Sequence, residues 1–186
     1  MLREYVFKRY KCTTTIIFAV LSCLPHKNAY AVSSAQIGDK MQIALPIVSF
    51  LPVLFLKDIE GAKQFALENL LVQGSTHGLK HLVNTTRPNG HCCDSFPSGH
   101  TSVSFSAASF IHFRYGFKYS WPLYLAAGYV GYSRVEAKAH HVRDVVAGAV
   151  IGTLGSYLST TPYKDADISF MIGKDSVGLI YRKIFD

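Results

Sequence analysis

An all-α fold, a compact helical bundle with a short β-like tail at its C-terminus, is what this sequence predicts, and three observations carry the prediction. Of 186 residues, 49% are hydrophobic and only 17% charged, so the chain is more apolar than an average soluble domain. Glycine and alanine are frequent within long apolar runs, as they are where helices pack closely. Ile59, Ala62, Ala66 and Leu70 recur at helical spacing, with Glu60, Lys63 and Glu68 on other faces. The length leaves room for one domain with a sizeable core.

The first 31 residues read as an export signal. Arg3, Lys8, Arg9 and Lys11 form a basic n-region, residues 13–24 an apolar h-region, and Ala29-Tyr30-Ala31 an A-x-A cleavage site. The same run uncut would be an N-terminal membrane anchor. It is short for a span of about 20 apolar residues, so cleavage after Ala31 is expected. Residues 32–160 then form the helical domain and 161–186 the tail.

Within the domain, Ile37-Gly38-Asp39-Lys40 is a polar lead-in to an apolar run, 43–56, interrupted by Pro46 and Pro52 and closed by Lys57-Asp58. The amphipathic stretch that follows extends, with a break at Gly74 or Gly78, to about Thr86. Arg87-Pro88-Asn89-Gly90 stops it there, since the residue before proline avoids helical dihedrals. Residues 91–96 form a loop, and Pro97 suits the first turn of a helix running to about Phe113. A polar, aromatic connection, 114–120, leads to a helix from Trp121 to about Ser133. The last helix spans 140–158, where Gly148 and Gly152, four apart, allow close packing. Beyond Thr160, residues 168–172 and 177–184 flank Gly173-Lys174-Asp175-Ser176 as a small β-hairpin or an irregular tail.

No helix reaches eighteen uninterrupted apolar residues. The runs 43–56 and 145–158 are the best membrane candidates, and both are short. They suit core helices of a soluble bundle or short spans of a compact membrane protein. The polar 60–73 region favours a bundle that sits in, or leans on, the outer side of the cell envelope.

The net charge of +7 does not point to nucleic acid. Arg3, Lys8, Arg9, Lys11 and Lys27 against Glu4 put +4 of it in the signal, and the remaining +3 forms no Lys/Arg stripe with interleaved aromatics. Cys12 and Cys23 fall in the signal. Cys92 and Cys93 are adjacent, a spacing ill-suited to an ordinary disulfide. His91-Cys92-Cys93-Asp94 lacks the separated spacing of a zinc site, so a plain loop is expected and no metal.

Three blocks carry the chemistry. Lys80 and Arg87, seven apart, lie close to two helical turns from each other and would project from one face. In Pro97-Ser98-Gly99-His100 the chain turns from loop into helix, where unpaired backbone amides favour an anion. Gly99 lets an oxyanion approach its amide, Ser98 adds a hydroxyl, and His100 stands at the rim as a proton donor. In the third block, Ser133-Arg134 precedes His140 and Asp144, which a helix would bring into contact at i+4. A carboxylate on one ring nitrogen fixes the tautomer and frees the other nitrogen as a nucleophile. His141, at i+3, also reaches Asp144, and helix geometry does not choose between the two. Arg134 offers a planar fork for two phosphate oxygens.

Lys80-x6-Arg87-Pro88, Pro97-Ser98-Gly99-His100 and Ser133-Arg134-x5-His140-x3-Asp144 resemble the three-part signature of the type-2 phosphatidic acid phosphatase superfamily, which also contains bacterial acid phosphatases and vanadium haloperoxidases. The resemblance runs from Lys80 to Leu158 and selects His140 over His141. It implies a helical bundle and cofactor-free, metal-independent hydrolysis of a phosphate monoester or pyrophosphate, of a lipid or a small molecule, through a phosphohistidine. It makes His140 the nucleophile, Asp144 its orienting carboxylate and His100 the acid on the leaving alkoxide. Lys80, Arg87, Ser98, Gly99 and Arg134 would hold the non-bridging oxygens. With the export signal, this implies a site in the periplasm or on the periplasmic face of a membrane.

Two other readings compete. A haloperoxidase would hold vanadate in the same cage, but the chain is short for the larger scaffold of those enzymes. A non-catalytic envelope protein binding phosphate or lipid headgroups would need the cations, but not a His–Asp pair and a second histidine.

Overall fold

Five helices and one hairpin make up the described residues of the computed structural model, 33–163, 166–172 and 177–183. The expected export signal lies outside them. In chain order the elements are α1 (Ser34–Phe55), α2 (Ile59–Val83), α3 (Gly99–Tyr115), α4 (Phe117–Glu136), α5 (Val142–Ser159), β1 (Ala166–Ile172) and β2 (Val177–Lys183). The bundle with a β-like tail is therefore borne out. The strands pair antiparallel, Ala166 opposite Lys183 and Ile172 opposite Val177.

Several boundaries differ from expectation, each for a local reason. α1 begins at Ser34 rather than in the apolar run, because Ser33 and Gln36 form a capping box: Ser33 Oγ accepts from Gln36 N–H, and Gln36 Oε1 from Ser33 N–H. It continues through Pro46 and Pro52, each of which removes one intrahelical hydrogen bond. Buried Leu45, Ser49 and Val53 hold this stretch by packing. α2 runs unbroken past Gly74 and Gly78 but stops at Val83, where Asn84 adopts a left-handed conformation (φ 43°) and its N–H bonds Lys80 O. Lys80 and Arg87 therefore do not share a helix face, as their spacing suggested. Ser98 is the N-cap of α3, so Pro97 precedes the helix instead of opening its first turn. α4 absorbs part of the expected connection, and α5 starts only at Val142, leaving both histidines ahead of it.

α3 is the central helix and packs against all four others. Against α5 the contact is backbone to backbone. A Cβ on Gly148 would lie 2.5 Å from Ser98 O, and one on Gly152 2.3 Å from Ser102 O. These two glycines set how closely the helices approach, and so where the N-terminus of α3 meets that of α5.

The bundle interior is rich in hydroxyls and its exterior in large apolar side chains. Ser102, Ser104, Ser106 and Ser109 of α3, Ser49 of α1, Ser133 of α4 and Ser156 of α5 are buried, beside Val72, Phe110 and Val130. Outside, Val146, Val150, Leu154 and Leu158 make a stripe along α5 that is 50–75% exposed, and Ile43, Ile47, Leu51 and Leu54 a similar one along α1. Among the described residues one helix, Ser34–Phe55, is long and apolar enough to cross a membrane.

Candidate active site

Because successive helices alternate in direction, one end of the bundle collects the start of α1, the end of α2, the start of α3, the end of α4 and the start of α5. All three sequence blocks meet there.

His140 sits in the turn between α4 and α5, 4% exposed. Its backbone N–H, like that of Ala139, bonds Arg134 O, which fixes the turn to the last residues of α4. The ring Nδ1 lies 2.7 Å from the carbonyl oxygen of Ser95. A carbonyl only accepts, so Nδ1 carries the proton and Nε2 keeps its lone pair. Burial, with the nearby Lys80 and Arg87 charges, pushes the His140 pKa down to about 4, so the ring is neutral at physiological pH.

His140 and Asp144 come together as expected but form no hydrogen bond: Nδ1 and Asp144 Oδ2 are 3.9 Å apart. The physical reason is that His140 precedes the helix, so the i+4 rule does not apply. Ser95 stands between them instead. Its Oγ donates to Asp144 Oδ2 at 2.6 Å while its carbonyl holds the imidazole. Asp144 also accepts from His141 N–H at 2.9 Å, capping α5. Burial opposes ionisation of Asp144, but these two donors outweigh it and hold the carboxyl below its ordinary range. His141 turns its ring away, with Nε2 3.3 Å from Thr86 O.

Ser98 is fully buried at the head of α3. Its N–H bonds Asp144 O, and its Oγ accepts from Thr101 Oγ1 rather than capping the helix. The first amides of α3, at Gly99 and His100, have no intrahelical partner. A Cβ at Gly99 would meet only the Thr76 methyl, at 3.7 Å, so the space before that amide is open.

His100 and Arg134 are joined by Asp39, a polar residue near the start of α1. Asp39 Oδ1 accepts from Arg134 Nη1 at 2.6 Å and lies 3.0 Å from His100 Nε2. Arg134, 5% exposed, also donates from Nη2 to Ala35 O and from Nε to Ser133 Oγ. This leaves one N–H on each terminal nitrogen for a further acceptor. α1 comes this close only because residue 38 is glycine, where a Cβ would lie 2.1 Å from Ser133 Oγ. Burial and the Arg134 charge lower the His100 pKa, and Asp39 works against them.

Lys80 Nζ donates to Asp94 O, which ties the end of α2 to the loop before α3. Arg87 lies in that loop, its N–H on His91 O, near enough for its charge to depress Lys80, His100 and His140. The loop also pairs Cys92 and Cys93 as a vicinal disulfide, against the expectation from their adjacency. Their Cα atoms are 3.7 Å apart at a bend where Cys93 and Asp94 take positive φ, 66° and 74°. Among the described residues no cluster of three or more His, Cys, Asp or Glu is placed to hold a metal ion.

At this end of the bundle Lys80 and Arg87 thus lie near an imidazole with an available lone pair, and Arg134 stands with a second imidazole, His100, at the free helix-start amides of α3. The PAP2 superfamily pattern matches residues 62–166, more than half of the chain. The chain belongs to the PAP2 superfamily. A lipid A 4'-phosphatase of Helicobacter pylori is 35% identical to this PAP2 protein over 150 residues, covering 75% of this chain and 74% of that one. A lipid A 1-phosphatase of Porphyromonas gingivalis is 33% identical over 120 residues, which is 63% of this chain but 26% of the relative. The crystal structure of Aquifex aeolicus LpxE matches 65% of this chain and 84% of its own, with a TM-score of 0.51 and 27% identity. This PAP2 protein is a phosphoric ester hydrolase built on the helical bundle of its superfamily. Lys80, Arg87, Ser98, Gly99, His100, Arg134, His140 and Asp144 all fall inside the matched segment, whereas Asp39 lies outside it.

Proposed function

We propose that this PAP2 protein removes the phosphate of a membrane lipid through a phosphohistidine on His140. The observation that carries the reading is the His140–Ser95 bond, which commits the proton to Nδ1 and leaves Nε2 to attack. In the first step Nε2 attacks phosphorus, the P–O ester bond breaks, and the leaving alkoxide takes a proton from His100. Lys80, Arg87, Arg134 and the α3 amides hold the non-bridging oxygens as charge builds on them, the kind of preorganised stabilisation that usually dominates catalysis. In the second step water gives its proton to His100 and attacks phosphorus. The P–N bond breaks, and inorganic phosphate and neutral His140 are regenerated. Ser95 and Asp144 orient His140, and Asp39 orients His100.

A lipid substrate is favoured by the surface. Apolar stripes outside and hydroxyls inside are the arrangement of helices that pack through small residues within a bilayer. The catalytic end, with the His140 turn and the first residues of α3 and α5, would stand at the membrane interface, clear of the hydrocarbon. Lipid A, the substrate named for both relatives, is the headgroup this reading prefers. With the export signal read at residues 1–31, this proposal puts the reaction in the periplasm or on the periplasmic face of a membrane. The test is phosphate release by the full chain in detergent with EDTA present, from lipid A, phosphatidate and a soluble aryl phosphate. Release from the lipids that disappears in His140→Ala is expected. Turnover of the aryl phosphate alone, or turnover independent of His140, would overturn the reading.

A further inference from the structure

Residue spacing puts Glu68 on a polar face of α2, yet the fold buries it completely. The proposed reaction has no use for it, and an ionisable group inside a bundle that spans a membrane is rare without a task. Its surroundings define that task. Ser106 Oγ of α3 donates to Glu68 Oε1 at 2.6 Å. Oε2 faces Ser156 Oγ of α5, and neither of these two buried atoms has another hydrogen-bond partner. One carboxyl on α2 thus reaches both of the helices that pack backbone to backbone. Among the described residues no Lys, Arg or His pairs with it. A charge buried without a partner is far costlier than a buried acid, so Glu68 is held as the neutral acid, accepting from Ser106 and turning its own proton toward Ser156.

Little else fixes α2 at this level. Between Phe65, whose ring meets Phe110, and Lys80, its buried side chains are Glu68, Val72 and Thr76. Val72 occupies the space left by Gly155, where an added Cβ would run into it, and the Thr76 methyl faces Gly99. Both contacts are apolar and non-directional, and the Thr76 hydroxyl has no partner. Glu68 therefore makes the directional contact of this seam. Glu68, Val72, Thr76 and Lys80 succeed one another at i+4, so Lys80 lies twelve residues, roughly 18 Å of helix, beyond Glu68. Whatever fixes the height and rotation of α2 at Glu68 also fixes where Lys80 enters the clamp.

We infer that Glu68 is a positioning residue: as a neutral acid bridging Ser106 and Ser156, it sets the register of α2 and so the place of Lys80 in the oxyanion clamp. The inference rests on the phosphatase reading and adds a residue that acts through Lys80. The test is calorimetric titration of the full chain in detergent with orthovanadate, a phosphate-like oxyanion. The stoichiometry counts folded sites, and Kd reports the clamp itself. Glu68→Gln, which offers a donor and an acceptor where the acid has them, should bind as wild type does. Glu68→Leu should raise Kd by roughly tenfold, as loss of one charge-assisted hydrogen bond implies. Ser106→Ala/Ser156→Ala, which keeps the carboxyl and removes its partners, should do the same, and it decides the matter if Glu68→Leu does not fold. A lower stoichiometry or Tm at unchanged Kd would reduce Glu68 to a structural group and overturn the inference. A Glu68→Gln chain as impaired as Glu68→Leu would also overturn it, because the charge would then be required. Neither result touches the phosphatase reading. No vanadate binding by wild type would remove the clamp, and with it both the phosphatase reading and this role of Glu68.

Discussion

Asp39 Oδ1 lies 3.0 Å from Nε2 of His100, and the same oxygen accepts a hydrogen bond from Arg134 at 2.6 Å. One carboxylate on the first helix thus aims both the proposed general acid and a clamp cation. Its charge favours the imidazolium form of His100, against burial and Arg134. Asp39→Asn removes that support, so the His100 pKa should fall further below its ordinary 6.5. The alkaline limb of the pH–kcat profile should then move to lower pH. At pH 7 we expect about a tenfold loss, smaller than the roughly 10²–10⁴-fold loss for removing the acid itself in His100→Ala. An unmoved limb would mean that Asp39 serves Arg134 alone.

His140 and His141 are adjacent but differently tied, to Ser95 O and Thr86 O. His140→Ala should lower phosphate release by at least about 10³-fold, whereas His141→Ala should keep most of it. The nucleophile must be neutral, and with a pKa near 4 it is neutral through the physiological range. The acid limb of kcat/KM should accordingly appear only near pH 4, the rate falling about tenfold per unit below it. Rapid quenching with a radiolabelled substrate should trap an acid-labile phosphoryl adduct in wild type and none in His140→Ala.

Gly152 touches the backbone of α3, where an added Cβ would meet Ser102 O at 2.3 Å and Ser106 N at 2.7 Å. Neither atom can swing aside. Gly152→Ala should cost about 1–3 kcal/mol, read as a lowered Tm in detergent. Gly128→Ala, where nothing lies within 4 Å, should be neutral or stabilising and serves as the control.

At the opposite end, Arg114 Nε and Nη2 donate to the two carboxylate oxygens of Asp58, with both side chains at most 6% exposed. Asp58 also accepts from Gly61 N–H, capping α2, and Arg114 reaches on to Thr161 O. Arg114→Ala leaves the carboxylate buried without its partner and should destabilise the fold by about 3–5 kcal/mol. Thermal unfolding measures this, and a loss under 1 kcal/mol would contradict it.

The clamp residues were legible because their chemistry is stated by type and order: Lys80 and Arg87, then Ser98, Gly99 and His100, then Arg134, His140 and Asp144. Asp39 and Ser95 were not, since each sits in a segment that reads as a plain polar connection and gains its role across the fold. Residue spacing on one helix does not fix side-chain contacts where the helix ends lie elsewhere. Asn84 ends α2 before Arg87, and α5 begins after His140. Asp39 also precedes the stretch matched to the superfamily, so no motif marked it.

By itself the sequence determined the fold class, the three blocks and the small-residue contact at Gly148 and Gly152. These follow from composition, periodicity and residue type, which are local along the chain. Only the tertiary structure decided which imidazole nitrogen is free, that Ser95 stands between His140 and Asp144, and that α1 supplies Asp39 to His100. Each depends on atoms brought within about 3 Å from segments 40 to 100 residues apart, a distance that hydrogen bonding requires and local sequence pattern does not encode.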